Sequence, residues 1–395
     1  MRRILFVDDE PCILDGLRRL LHRERGEWEL LSAASGSAAL EEMARGPVDV
    51  VLTDMRMPGM DGAALLEQVA QRYPDTIRLV LSGQTDTAAA SRAILVAHQF
   101  LTKPCAAMEI RTVIDRACAL RDLLRSPGLR RIVGGMESLP SAPTVWIALR
   151  RALGDEGASV SQISVIIEQD AGLGAKVLQL VNSSFFGQAR EISSIAHATT
   201  LLGTGTIRAL ALAEQFFGSG LSPGRGCSLE EERNHALAVA RLARHILPGQ
   251  PAGEAAFTAG LLHDVGKLIL AARLPQPFLD DLGEARLRGL PLHRVELSRT
   301  NVCHAEVGAY LLGLWGLPHE VVEAVAHHHA PDRVAGGDRR ALVAVHVADA
   351  LVHGISDGPG AIDQRLDSVS VAELGWTGQL PEWQEWASAQ QEVDS

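Results

Sequence analysis

Four short apolar runs near the N-terminus each end on a side chain suited to chemistry. Ile4-Leu5-Phe6-Val7 leads into Asp8-Asp9, Val50-Val51-Leu52-Thr53 into Asp54, Leu79-Val80-Leu81 into Ser82, and Phe100-Leu101-Thr102 into Lys103-Pro104. Runs this short, continuous and aliphatic predict strands buried on both faces of a parallel sheet. Between them, Pro11 to Arg23 sets Ile13, Leu14, Leu17, Leu20 and Leu21 at helical spacing, and Ser37 to Ala44 repeats the pattern more weakly. Met57-Pro58-Gly59-Met60-Asp61-Gly62 reads as a turn before a further helix. Strand alternating with helix predicts an α/β doubly wound domain. The carboxyl ends of its strands open on one crevice, so Asp8, Asp9, Asp54, Ser82 and Lys103 are expected to meet at one rim.

The pattern then changes. Arg121 to Gly135 is rich in Arg and Gly and reads as a helix end followed by a linker. Beyond it the strand signals vanish. Val160 to Glu168, Leu173 to Val181, His235 to Leu247 and Glu306 to Leu314 have helical spacing, with breaks at Pro248 to Pro251 and at Leu274-Pro275-Gln276-Pro277. The predicted organisation is an α/β domain over 1–123, a linker over 124–136, an all-α domain over 137–355 and a tail over 356–395. The end of the tail, with Trp376, Trp383 and Trp386, predicts a short amphipathic helix.

Composition narrows the field. The 395 residues are too many for one ordinary domain. With 37 basic against 48 acidic residues the formal net charge is -11, which argues against a general nucleic-acid-binding surface. No helix-turn-helix pattern supports a DNA-binding regulator. Five cysteines, without paired metal spacing, suit a reducing cytosol better than a disulfide framework. Arg2-Arg3 does not begin an export signal, because Asp8-Asp9 cuts the apolar stretch short, and no run is read as long enough to span a membrane. A cytoplasmic protein is expected.

Asp8, Asp9 and Asp54 make a hard oxygen site for Mg2+, which prefers a few carboxylates plus water and phosphate. The ion and Lys103 would neutralise a moving phosphoryl group, Asp54 would be its nucleophile, and Ser82 would bond a phosphoryl oxygen. One such acid reads equally well as the cap of a following helix or turn. Three acids with a lysine and a hydroxyl in matching places do not.

Val7-Asp8-Asp9-Glu10, Thr53-Asp54-Met55-Arg56-Met57-Pro58-Gly59-Met60-Asp61-Gly62, Ser82-Gly83 and Lys103-Pro104 resemble the receiver domain of bacterial two-component response regulators, in motif and order, over Met1 to about Leu123. The resemblance implies a flavodoxin-like fold in which Asp54 accepts phosphate from a sensor histidine kinase. It also implies that Asp8, Asp9 and the Arg56 carbonyl hold Mg2+, that Ser82 moves toward the phosphate, and that Phe100 is the switching aromatic.

The second domain carries histidines. His263-Asp264 lies in an apolar segment, where such a pair is costly to bury without a partner. Further candidate ligands are His235, His304, the run His327-His328-His329 and Asp349; Glu231 stands four residues before His235, hence on the same helical face. Imidazole with carboxylate suits Fe, Mn, Zn or related ions. Against this, the 327–329 run reads equally as a solvated helix end, and His197, His245 and His293 show no pattern and are expected on the surface or bonded in the core.

These residues resemble the HD superfamily of metal-dependent phosphohydrolases. The preceding segments, Leu139-Pro140, Ile166-Ile167-Glu168-Gln169-Asp170, Leu180-Val181-Asn182-Ser183-Ser184-Phe185-Phe186-Gly187, Ile192-Ser193-Ser194-Ile195 and Leu201-Leu202-Gly203, resemble its HDOD branch. Members of that branch are mostly regulatory modules, and many have lost the metal ligands. This chain keeps His235, His263, Asp264, His304, a His-His pair and Asp349. The pair is His327-His328 or His328-His329, and Ala330-Pro331 favours the second. No Gly-Tyr-Pro follows it, which counts against cyclic di-GMP cleavage. In a metal site Lys267 would steady the substrate anion.

The favoured expectation is therefore a phosphorylated signalling module that contacts an output protein or itself. The alternative is a phosphorylation-gated metal-dependent phosphohydrolase acting on a phosphate ester or nucleotide. Neither reading calls for direct nucleic-acid binding or membrane insertion.

Overall fold

A computed structural model describes residues 1–21, 27–82, 96–123, 127–134, 136, 143–154, 159–182, 191–212, 228–334, 336–358 and 360–394. They form two units, the first built on Met1–Glu137 and the second on Ser138–Leu178, Glu191–Leu312 and Leu317–Ser395.

The first unit is a five-stranded parallel sheet in the order β2-β1-β3-β4-β5, with β1 at Arg2–Val7, β2 at Trp28–Ala33, β3 at Val50–Asp54, β4 at Ile77–Ser82 and β5 at Gln99–Thr102. Four of these are the predicted strands. The edge strand β2 is not among the predicted ones, because Trp28-Glu29-Leu30-Leu31-Ser32-Ala33 mixes polar and apolar residues and buries fully only its two ends. The central strands bury Ile4 to Val7 and Val50 to Thr53, as expected where both faces are covered. The covering helices are α1 (Pro11–Leu20), α2 (Gly36–Arg45), α3 (Gly62–Arg72) and α4 (Ala107–Leu123). Asp61 caps α3 by accepting from Ala64 N at 2.8 Å. Gly62 is required there, since a Cβ would lie 2.2 Å from the Asp54 carbonyl oxygen.

Within the stretch read as linker, Pro127–Gly134 forms a helix, α5. Its last carbonyl, on Gly134, accepts from Arg78 Nη2 at 2.9 Å and faces His98 Nε2 at 3.1 Å. His98 Nδ1 accepts from Arg78 N at 3.0 Å, so the buried ring is bonded in its neutral form.

The regular structure of the second unit is helical throughout the described residues. After α6 (Pro143–Gly154), α7 (Val160–Ile167) and α8 (Ala171–Val181) comes α9 (Ile195–Leu212), broken at Gly203 with φ 71. The next five are α10 (Leu229–Ile246), α11 (Pro251–Leu262), α12 (Val265–Arg273), α13 (Pro275–Arg288) and α14 (Leu292–Thr300). Then follow α15 (His304–Leu314), α16 (His319–His327) and α17 (Arg340–Asp357). Pro251 and Pro275 open helices at the predicted breaks, where a missing N–H costs nothing. Leu139-Pro140 and Ser183 to Gly187, quoted for the resemblance above, lie outside the described residues, as does Gly83.

The tail is more than one short helix. Gly360–Arg365 (α18), Ser368–Glu373 (α19) and Leu380–Asp394 (α20) follow α17, Trp383 is buried, and Trp386 stacks on His245 of α10 at 4.3 Å. The expectation that no run is long enough to span a membrane needs correcting. Ala252–Arg273, across α11 and α12, passes on length and composition, but 83% of its apolar window is buried inside the protein, as in a core helix.

Two close approaches set the helix packing. A Cβ on Gly260 would lie 2.8 Å from Ala240 Cα, which brings α11 onto α10. A Cβ on Gly266 would lie 1.8 Å from the His304 carbonyl oxygen, which brings α12 onto the start of α15. Gly266→Ala should therefore destabilise the chain by roughly 1–3 kcal/mol, the cost of forcing a methyl into a packed contact. An unchanged denaturation midpoint would show that α15 can move aside freely. A second outcome concerns pH. Burial and the Arg78 guanidinium hold His98 well below its usual pKa, whereas the unfolded chain takes that proton below about pH 6.5. Stability should fall with pH below that point, by about 1.4 kcal/mol per unit from this residue. Urea midpoints across that range should show a shallower dependence in His98→Gln, and equal slopes would remove His98 as the cause.

Candidate functional site

The first centre lies at the carboxyl ends of β1, β3 and β5. Lys103 Nζ stands 2.8 Å from Asp8 Oδ2 and 2.5 Å from Asp54 Oδ1. The other oxygens meet main chain, Asp8 Oδ1 accepting from Glu10 N and Asp54 Oδ2 from Arg56 N, each at 2.9 Å. Both acids thus close local turns as well. The turn reading and the chemical one hold together. Burial works against the Lys103 ammonium, yet its bonds to Asp54 and Asp8 prevail and its pKa is raised. Asp9 is half-buried beside Asp8, and Phe100 is buried on β5. Ser82 ends β4 opposite Thr102, which brings its backbone to the same rim. Closely grouped carboxylate oxygens beside the Arg56 main chain suit a hard ion such as Mg2+.

The second centre gathers side chains from three helices and two of the turns between helices. His235 comes from α10, His263 and Asp264 from the junction of α11 and α12, and His304 opens α15. His328 and His329 follow α16, and Asp349 and His353 lie on α17. Asp264 stands between two groups. On one side are His235, His263 and Asp349: Asp264 Oδ2 is 3.2 Å from His263 Nε2 and 3.6 Å from His235 Nε2, while Asp349 Oδ1 is 3.2 Å from His235 Nε2 and 3.5 Å from His263 Nε2. On the other side Asp264 Oδ1 is 3.1 Å from His304 Nε2 and 4.0 Å from His328 Nε2, and His329 Nε2 is 2.9 Å from His304 Nε2. The donors of Asp264, His304, His328 and His329 all lie within 4.8 Å of one another, and so do those of His235, His263 and Asp264.

The far nitrogens explain why these edges converge. His263 Nδ1 meets the Gly260 carbonyl at 2.7 Å, His328 Nδ1 the Val325 carbonyl at 2.8 Å, and His304 Nδ1 meets Glu296 Oε2 at 2.7 Å. Each of these bonds keeps a proton on Nδ1 and turns Nε2 inward, the orientation of a metal ligand. His346 Nδ1 meets the His328 carbonyl at 2.6 Å and holds that turn in place. Asp264 Oδ1 and His328 Nε2 are buried and receive no hydrogen bond. Two inward, unbonded acceptors are costly unless a cation satisfies them.

The facing carboxylates favour a second proton on two of these rings, which a bound ion would displace. Burial lowers His263, but Asp264 and Asp349 outweigh it and push its pKa up to about 10; His304, between Glu296 and Asp264, is likewise pushed up to about 9. His328 and His329 are held well below their usual value by burial and neighbouring imidazoles. Asp264 and Asp349 sit well below the usual carboxylate range, because the facing histidines and Lys267 outweigh burial for the first, and His353, His235 and His263 for the second.

Among the expected ligands the exception is Glu231, which is exposed and outside these groups; Glu232, one residue on, is the acid whose field reaches Lys267. The reason is helical phase, since a spacing of four puts two residues on one face without saying which edge faces inward. Lys267 Nζ is bonded to Asp264 Oδ2. The pair that enters is His328-His329, and His328 is fully buried rather than a solvated helix end. His293 is also no satisfied bystander: it stacks on His329 at 3.9 Å, and its Nδ1 is buried without a partner. Sequence reasoning missed His353, whose Nε2 is 3.5 Å from Asp349 Oδ1, and Glu296. The i, i+4 spacing of Asp349 and His353 was a readable signal. Glu296 had none.

Comparisons with known proteins accord with this geometry. A model of the response regulator receiver domain matches residues 4–115, and a model of the HDOD domain matches residues 139–331. Asp349 and His353 lie beyond that second match. An uncharacterized protein of Treponema pallidum is 26% identical over 206 residues, covering 50% of this chain and 39% of its own. The response regulator protein PilR of Pseudomonas aeruginosa is 33% identical over 182 residues, covering 45% and 38%. The chain therefore spans well under half the length of these curated relatives. A crystal structure of a virulence factor from Campylobacter jejuni superposes with a TM-score of 0.50 over 68% of this chain and 94% of its own, at 19% identity, a likeness of fold alone. The parallel sheet with its acidic rim and the helical unit with its histidines each match their own family, and the chain is a response regulator in which an N-terminal receiver domain precedes an HDOD domain.

Proposed function

We propose that Asp54 accepts a phosphoryl group from a histidine kinase and that its phosphorylation governs a metal-dependent phosphohydrolase centre in the HDOD domain. In the receiver, an Asp54 carboxylate oxygen attacks phosphorus as the bond to the kinase imidazole nitrogen breaks, giving an acyl phosphate on Asp54. Lys103 holds both Asp8 and Asp54 and faces the charge that the transferred oxygens bring. Mg2+ on Asp8, Asp9, Asp54 and the Arg56 carbonyl would add positive charge against the phosphoryl oxygens. Ser82, at the end of β4, and Phe100 on β5 are the residues that would report the new charge to the rest of the receiver.

The observation that carries the output reading is the buried carboxylate of Asp264, with imidazole edges converging on both of its oxygens and one oxygen left without a hydrogen bond. His235, His263, Asp264 and Asp349 would hold one ion, and Asp264, His304, His328 and His329 a second. Such a pair would supply Lewis-acid charge against a phosphate ester and would lower the pKa of water at the site. Asp264 holds the two halves in register, and Lys267 neutralises its charge and fixes the orientation of Oδ2. The donors are mixed imidazole and carboxylate, which suits Fe, Mn or Zn. A purely contact-based signalling module remains the second reading. It is favoured by the absence of Gly-Tyr-Pro after His328-His329, but it leaves the ligand cluster without a use.

Asp54→Asn should abolish labelling of the chain by a small phosphodonor in Mg2+; undiminished labelling would move the acceptor elsewhere. Protein purified without added metal should carry Fe, Mn or Zn near stoichiometry, and His263→Ala combined with Asp264→Ala should lose it. Background metal in both proteins would leave the histidines structural and favour the second reading.

A further inference from the structure

One buried carboxylate beside the histidine centre is not a ligand in either half. Glu296 of α14 is 2% exposed. Its Oε2 accepts from the backbone N of His304 at 3.0 Å and meets His304 Nδ1 at 2.7 Å, while Oε1 is buried and receives no hydrogen bond. Burying a charged group with one oxygen unsatisfied is unfavourable. A neutral carbonyl could take the ring proton at less cost, as Gly260 and Val325 do for His263 and His328. The difference a carboxylate makes is charge.

The two halves of the centre differ in the charge they bring. His235 and His263 each lie against two carboxylates, Asp264 and Asp349, whereas the group of Asp264, His304, His328 and His329 has one, and only His328 of its rings is also grouped with Asp349. A dication in the second half would face three neutral rings and part of one anion. We infer, on the metal-centre reading above, that Glu296 is a positioning residue acting through His304 to give this histidine-rich half its affinity for an ion. Two bonds to a single oxygen fix the His304 ring in azimuth and tautomer. The negative charge behind Nδ1 makes Nε2 a stronger donor. Glu296 thereby supplies the anion that this half lacks, at one remove from the ion.

Glu296→Gln tests this, because an amide oxygen can still accept from both nitrogens while the charge is gone. Stripped protein is titrated with Mn2+ or Zn2+ against a chelator of known affinity, and the thermal midpoint of the stripped protein is measured in parallel. Wild type should show two sites. In the Gln variant one site should weaken by about 10- to 100-fold and the other should keep its affinity, even where loss of the charge behind His304 shifts the stripped midpoint. In a His304→Ala background the Gln substitution should add nothing further, as expected when one residue acts through the other. Two sites of wild-type affinity in Glu296→Gln would overturn the inference alone. So would equal weakening of both sites with a lowered stripped midpoint, which marks a merely structural tie. A wild type that takes up no metal would overturn the metal-centre reading and this inference with it.

Discussion

The helical unit depends on a single buried carboxylate. Asp264 is approached by His235 and His263 on one oxygen, by His304 and His328 on the other, and by Lys267. An ionised carboxylate in an apolar interior is tolerable where opposite charge and donors surround it. That requirement ties together helices far apart in sequence. His304 begins α15, the His328-His329 turn follows α16, and Asp349 projects from α17. His304 and His328 must arrive beside Asp264, and Asp349 beside His263, at the α11–α12 junction.

Glycine makes this convergence sterically possible. Without side chains at 260 and 266, α11 can lie against α10 and α12 against the first turn of α15, which sets His235, His263 and His304 around one point. The ring orientations are then fixed from outside. Main-chain carbonyls of Gly260 and Val325, the carboxylate of Glu296, and His346 behind His328 all hold the face of a ligand that points away from the centre. The constraint is collective: with their outer edges held, the rings bring their Nε2 atoms together, His304 beside His329 and His235 beside His263.

The receiver meets a similar demand with less burial. Asp8 and Asp54 share one ammonium and each closes a turn through a main-chain N–H, so their oxygens are held before any phosphate or ion arrives. Preorganised charge at the carboxyl ends of parallel strands is what a doubly wound sheet offers, because adjacent β1 and β3 carry their helices to opposite faces there. The two units thus hold charge in two settings, at an open rim and in a helical core.

The sequence by itself determined the receiver almost completely. Its chemistry sits at strand ends, and a strand end is a local signal, an apolar run stopped by a polar residue, so Asp8, Asp54 and Lys103 could be found locally and were told from caps by their combination. The edge strand β2 was not, since a half-exposed strand lacks that run. For the helical unit the sequence supplied the ligand types and the His263-Asp264 pair, but not the roles of Glu296, His293 and His353, nor that Glu232 and not Glu231 lies toward Lys267. Helical periodicity gives a face without a neighbour. Which residues meet there is decided by crossing angles and close glycine contacts between helices far apart in the chain, and those exist only in the packed tertiary structure.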